Sequence, residues 1–209
     1  MGVDPAQIFI SFTVLLFSLT VHEAAHAWSA WRLGDPTARD LGRVSLNPAV
    51  HIDPIGTILF PLLAMVTGAP VLGWAKPVPV DLRRLMRWRR DHMLIAAAGP
   101  ASNLLIAVAA ALVLRALPAA DAEGFSLAAP VALTCQAAVL LNIILAVFNL
   151  VPVPPLDGGN VLRGLLHGRT AALFDRVRPY GFFLLYALML TGVLSSVIGP
   201  PARMLAGWL

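Results

Sequence analysis

Charge is what this 209-residue sequence has least of. Only 12% of its residues are charged and 58% are hydrophobic, about half the charge density of an average soluble chain. With a mean hydropathy of +0.79, that composition excludes a water-soluble globular domain and describes an integral membrane protein. Cysteine is nearly missing too: Cys135 stands alone, which excludes an internal disulfide and a Cys-rich zinc site. The chain has no basic start, and its first apolar run leads into ionisable residues, so a cleavable signal peptide is not expected. The formal charge of +4 does not point to nucleic acid. The basic residues lie in short linkers between apolar runs, as they do where membrane proteins mark their cytoplasmic side.

What is present is a set of five uncharged segments. Pro5 to Val21 continues helically to about Leu33; the others are Pro54–Ala75, Met93–Leu114, Phe125–Leu156 and Pro179–Ala202. Each approaches the roughly 20 residues that a membrane span requires. The second is interrupted by Pro61, Gly68, Pro70 and Gly73, so a simple spanning helix is not expected there. "GRVSLNPAVHI", residues 42–52, has β-branched and apolar residues around an Asn-Pro turn and suggests a small β-hairpin. With no repeat or low-complexity tract, residues 1–209 read as one membrane domain. The expected fold class is an all-α polytopic membrane protein with about four full transmembrane helices.

The chemistry concentrates in "LTVHEAAHAW", residues 19–28. Ionisable groups are costly behind an apolar run that enters a bilayer. Residues four apart share one helix face, so His22 and His26 can offer ring nitrogens to the same ion. Glu23 then stands beside that ion, placed to take a proton from a water molecule. This is the His-Glu-x-x-His pattern of zinc hydrolases. A catalytic zinc usually has three protein ligands, and "FNLVPVPPLDGGNVL", residues 148–162, offers the third. Asp157 follows a long uncharged helix that Pro152, Pro154 and Pro155 must end, which places it on an extended segment. One Zn²⁺, two carboxylates and two neutral histidines sum to zero charge, which a low-dielectric setting tolerates. His51 and Asp53 also admit a second-metal reading. A zinc transporter remains an alternative, since intramembrane His and Asp mark ion pathways too, although it gives Glu23 no task.

"HEAAH", "AGPASN" at 98–103 and "FNLVPVPPLDGG" at 148–159 resemble, in that order, the site-2 proteases, the intramembrane zinc metalloproteases. The resemblance covers nearly the whole chain. It implies His22, His26 and Asp157 as zinc ligands, Glu23 as catalytic base, and a transmembrane protein as substrate. It also implies that Asn149 binds the substrate backbone or oxyanion; a helix-end asparagine bonding a carbonyl is the alternative. Asn103 reads as a helix-packing residue. The PDZ and CBS domains of some members have no counterpart here, so the chain resembles a minimal, core-only member, expected in a bacterial plasma membrane.

Geometry adds a constraint. His22 and Asp157 must meet at one depth, so the helices leading to them run in the same direction, with an odd number of crossings between. Segment 54–75 is therefore expected to be re-entrant. The basic linkers then face the cytoplasm near the active site, and Asp121 and Glu123 face outside.

Overall fold

The computed structural model describes residues 4–67, 73–117 and 128–208. The first helix, α1 (Pro5–Arg32), begins where the Asp4 carboxylate accepts the Ala6 amide at 2.9 Å, with Pro5 in the first turn. That cap and the proline set the helix start. At 1.5 Å per residue α1 is about 42 Å long, more than the roughly 30 Å hydrocarbon core. A short α2 (Thr37–Asp40) follows.

Residues 42–52 do not form the expected hairpin; no strand occurs among the described residues. The Asn47 amide donates to the Ser45 hydroxyl at 3.1 Å, and the Asn47 side chain accepts the Ala49 amide at 3.0 Å, opening a 3-10 turn at Pro48–Val50. These local bonds curl the backbone and consume donors that a ladder needs, while Pro48 has none to give.

The segment from Pro54 is re-entrant. Asp53 accepts the Ile55 and Gly56 amides at 3.0 and 2.8 Å and starts a π-helical turn (Pro54–Leu59) that runs into α3 (Phe60–Thr67). Gly68 and Pro70 lie outside the described residues. The chain is back beside its starting point at Trp74, whose amide donates to Gly56 O at 3.1 Å and whose carbonyl accepts from Thr57 Oγ1 at 2.8 Å. An element whose two ends are hydrogen-bonded together does not cross the membrane.

The other long helices are α4 (Trp88–Ala116) and α5 (Ala128–Asn149). Together with α1 they are, among the described residues, the single helices long and apolar enough to cross a membrane. Ala27, Ala30, Ala107 and Ala146 are fully buried, and such small side chains let apolar helices approach closely. The contact registers give the directions. From Ser18 through His22 to His26, α1 meets α4 at Asn103 and then at Ile95. The pair is antiparallel. Along α1 in the same order, α5 is met first at Asn142, and its C-terminal continuation reaches the histidines through Asp157. Helices α1 and α5 are therefore parallel, as the odd crossing count requires.

Asn149 ends α5, earlier than the sequence suggests, and Asp157 is the first residue of α6 (Asp157–Leu165) rather than part of an extended segment. A carboxylate in the first turn favours a helix start. Then come α7 (Gly168–Val177), α8 (Gly181–Leu190) and α9 (Val193–Trp208). The fifth apolar segment is bent by 78° between Leu190 and Val193, so it makes a fourth span only as a broken one. Gly192 adopts a φ of 74° there, a conformation that L side chains resist. Val151, Leu156, Leu185 and Leu194 form the apolar cluster joining this end to the rest. The linker with Asp121 and Glu123 lies outside the described residues. The chain is a multi-pass, all-helical membrane protein.

Candidate metal centre

Helical spacing brings His22 and His26 onto one face of α1, where both are buried. Their Nε2 atoms lie 3.0 Å apart, and Asp157 Oδ2 is 3.1 Å from the first and 3.3 Å from the second. Ligands about 2.0–2.1 Å from a tetrahedral zinc are themselves roughly 3.3 Å apart. The three predicted ligands therefore already stand at coordination spacing, and they are the one such cluster among the described residues.

The hydrogen bonds around the cluster suit it to a cation. His26 Nδ1 faces the Ile95 carbonyl at 2.7 Å, which can only accept, so Nδ1 carries the proton. His22 Nδ1 faces Asn103 Oδ1 at 2.6 Å and carries one too. In the neutral rings both Nε2 atoms are then bare lone pairs pointing at each other. Asp157 Oδ2 is buried and has no hydrogen-bond donor. Three converging electron pairs repel unless a positive ion sits among them. Room for one exists because residue 99 is glycine: a Cβ there would collide with both Nε2 atoms. Two imidazoles and a carboxylate fit zinc.

The cluster opens onto a cavity of about 520 Å³. Glu23, half-buried, lines it beside the histidines. Asn149 lines it too, with its Nδ2 donating to Leu145 O at 3.0 Å; this is the helix-end bond weighed as the alternative, and it uses one N–H of the side-chain amide. The segment 73–80, which has no regular secondary structure, also lines it through Trp74, Ala75 and Pro77. Sequence reasoning assigned no role to this segment. Nor did it single out His92, which lines the cavity from α4, or Asn142. A polar residue within an uncharged span is a signal in its own right, and Asn142 carried it.

Two readings change. Asn103 is not only a packing residue, since its side chain holds His22. His51 and Asp53 do not form a second metal site: His51 Nε2 bonds Ser45 O at 2.9 Å, and Asp53 caps the π-helical turn. Burial pushes the His51 imidazole below its ordinary pKa range, which keeps it neutral.

The comparisons agree with this picture. Residues 122–192 match the sequence profile of Peptidase family M50. YwhC of Bacillus subtilis (strain 168), named as a candidate zinc metalloprotease, is 37% identical over 189 residues, covering 89% of this chain and 82% of YwhC. Rip2 of Mycolicibacterium smegmatis (strain ATCC 700084 / mc(2)155), named in the same way, is 30% identical over 181 residues, or 86% of this chain and 66% of Rip2. Rip2 of Mycobacterium tuberculosis (strain ATCC 25618 / H37Rv) is 31% identical over the same number of residues. No solved structure matches the chain. Given the extent of the likeness to YwhC, the chain belongs to peptidase family M50, the site-2 protease family.

Proposed function

We propose that this chain is a zinc-dependent endopeptidase that hydrolyses peptide bonds within or near the transmembrane helices of membrane-protein substrates. The observation that carries the reading is the cluster of three ligand atoms 3.0–3.3 Å apart, next to a glutamate that is not one of them. His22, His26 and Asp157 hold the ion. Zinc bound there supplies polarisation of the scissile carbonyl and acidification of a water molecule. Glu23, beside these ligands in the cavity, is placed to take a proton from the attacking water and pass it to the leaving amine nitrogen. Asn149 Oδ1 and its remaining N–H bind the substrate backbone.

A helical substrate hides its carbonyls in hydrogen bonds and must unwind before cleavage. The extended segment 73–80 supports a place for the unwound strand. Trp74 and Lys76 direct their backbone groups away from the cavity: Trp74 to Gly56 and Thr57, and Lys76 to the His51 carbonyl at 2.8 Å and to Arg43 Nη2. Ala75 and Pro77 line the cavity, where their backbone groups are within reach of a peptide. An edge of this kind accepts a peptide by strand addition. The basic linkers support an orientation with the site near the cytoplasmic face of a bacterial plasma membrane, and residues 1–209 act as one domain.

The test is Glu23→Gln in the purified chain, presented with a single-span substrate in proteoliposomes. About one zinc per chain is retained while cleavage falls by about 100- to 10,000-fold. Cleavage at the parental rate would overturn the assignment, and zinc flux across the vesicle without cleavage would favour transport.

A further inference from the structure

We propose that Asn142, which touches no atom of the donor cluster, is a positioning residue for it. With Asn103 it holds His22 as the Nδ1–H tautomer and so sets how tightly the cluster binds a divalent metal ion. The inference rests on the metal reading above and concerns a residue on a different helix from either histidine.

Hydrogen-bond direction orients each amide in turn. Asn142 and Asn103 are completely buried in the seam between α1, α4 and α5, as is Ser18. Asn142 Nδ2 donates to the Ala138 carbonyl and to Ser18 Oγ, each at 2.8 Å. A backbone carbonyl only accepts, so this contact fixes which end of the Asn142 amide is nitrogen. Its Oδ1 is then aimed at Asn103 Nδ2, 2.9 Å away. Asn103 Nδ2 also approaches the Ser18 carbonyl at 3.4 Å, a longer contact pointing the same way. With its nitrogen held there, Asn103 presents Oδ1 to His22 Nδ1 at 2.6 Å. Each link is oriented by the previous one, and the chain of orientation begins at the Ala138 carbonyl.

The alternative arrangement explains why Asn142 matters. If Asn103 turned its amide over, its nitrogen would face His22 Nδ1 and select the Nε2–H tautomer. That proton would point at His26 Nε2 and Asp157 Oδ2, where the ion belongs. In the parent chain the turned amide sets two amide oxygens against each other and leaves buried acceptors without a donor, which costs about 1–3 kcal/mol for each group left unpaired. Without Asn142 that cost largely disappears and both orientations of Asn103 become accessible. Outer partners of a metal-binding histidine act in this way, by fixing tautomer and ring orientation.

The experiment measures zinc affinity of the purified full chain by competition with a chromogenic chelator, for the parent and for Asn142→Leu, alongside each protein's thermal midpoint without metal. Asn142→Leu is expected to bind zinc about 10- to 100-fold more weakly. A lower midpoint with zinc affinity unchanged within about twofold overturns the proposal and leaves Asn142 a packing residue. The parent itself gives a second reading that does not depend on the variant folding. Histidine ¹⁵N shifts of the zinc-loaded parent are expected to show His22 protonated at Nδ1, and an Nδ1 without a proton overturns the proposal. If the parent binds no zinc at all, the metal reading fails first, which separates the two ideas.

Discussion

The two walls of the cavity are built by opposite means. One wall is side chains on long helices: His22, His26 and Glu23 on α1, with Asn103 and Asn142 behind them on α4 and α5. The other is main chain with no regular structure, residues 73–80, held by hydrogen bonds to the 43–57 stretch. Helical geometry fixes a few atoms closely, which an ion needs. An extended edge offers a row of donors and acceptors that ignores side-chain identity, which suits a peptide of variable sequence. On this reading the first wall carries the chemistry and the second the presentation of substrate.

The comparison breaks most severely at Gly99. Gly99→Ala puts a methyl group against both imidazole Nε2 atoms, so zinc is expected to fall below about 0.1 per chain with cleavage lost, since the methyl cannot be relieved without moving a metal ligand. Metal analysis of the purified variant checks it, and a fully loaded variant would show that the helical wall gives way more easily than argued. A smaller effect is expected on the other wall. Ala75→Pro removes one edge N–H from a segment that already tolerates Pro77 and Pro79. Losing one hydrogen bond of about 1–1.5 kcal/mol should lower kcat/KM about five- to tenfold and leave zinc affinity alone. Equal kcat/KM would remove the edge from the mechanism.

The smallest effect lies away from both walls, where Arg163 Nε donates to Asp175 Oδ1 at 2.6 Å and Nη2 to Oδ2 at 2.8 Å. That pairing holds the Asp175 carboxyl below the usual carboxylate range. A lowered pKa stabilises the fold above the unfolded carboxylate pKa of about 3.9 and loses that contribution as the pH drops through the folded value. Asp175 is largely exposed to solvent, so Asp175→Asn should cost under about 1 kcal/mol at neutral pH. The difference should vanish in acid. Unfolding midpoints at the two pH values test this, and neither zinc affinity nor cleavage should change.

How much of this could be read from the residues divides along the same line. His22, Glu23 and His26 announce themselves because a four-residue spacing has one meaning on a helix, and Asp157 because an isolated carboxylate after a long apolar run demands a partner. The re-entrant course of 54–75 followed from counting crossings, after Pro61, Gly68, Pro70 and Gly73 had spoken against a simple span. The extended wall stayed hidden because "GWAKPVPV" has the proline content of a loop and owes its shape to distant partners, Gly56, Thr57, His51 and Arg43. The hairpin reading of 42–52 failed because Ser45 and Asn47 bond their own backbone, a local competition that alternation of apolar residues does not reveal. The bend at Gly192 escaped notice because a single glycine in an apolar run is a weak cue.

The closure of Trp74 onto Gly56 also bears on how the molecule is made. Because that segment turns back, α4 is the second passage through the bilayer and α5 the third, and Asp157 emerges only after all three are in place. During synthesis α1 and α4 can dock early and set His26 against Ile95, but they leave two opposed lone pairs with no third donor. The cluster is completed by the last of the three insertions, so a chain halted before α6 holds two of its donors and cannot close the set.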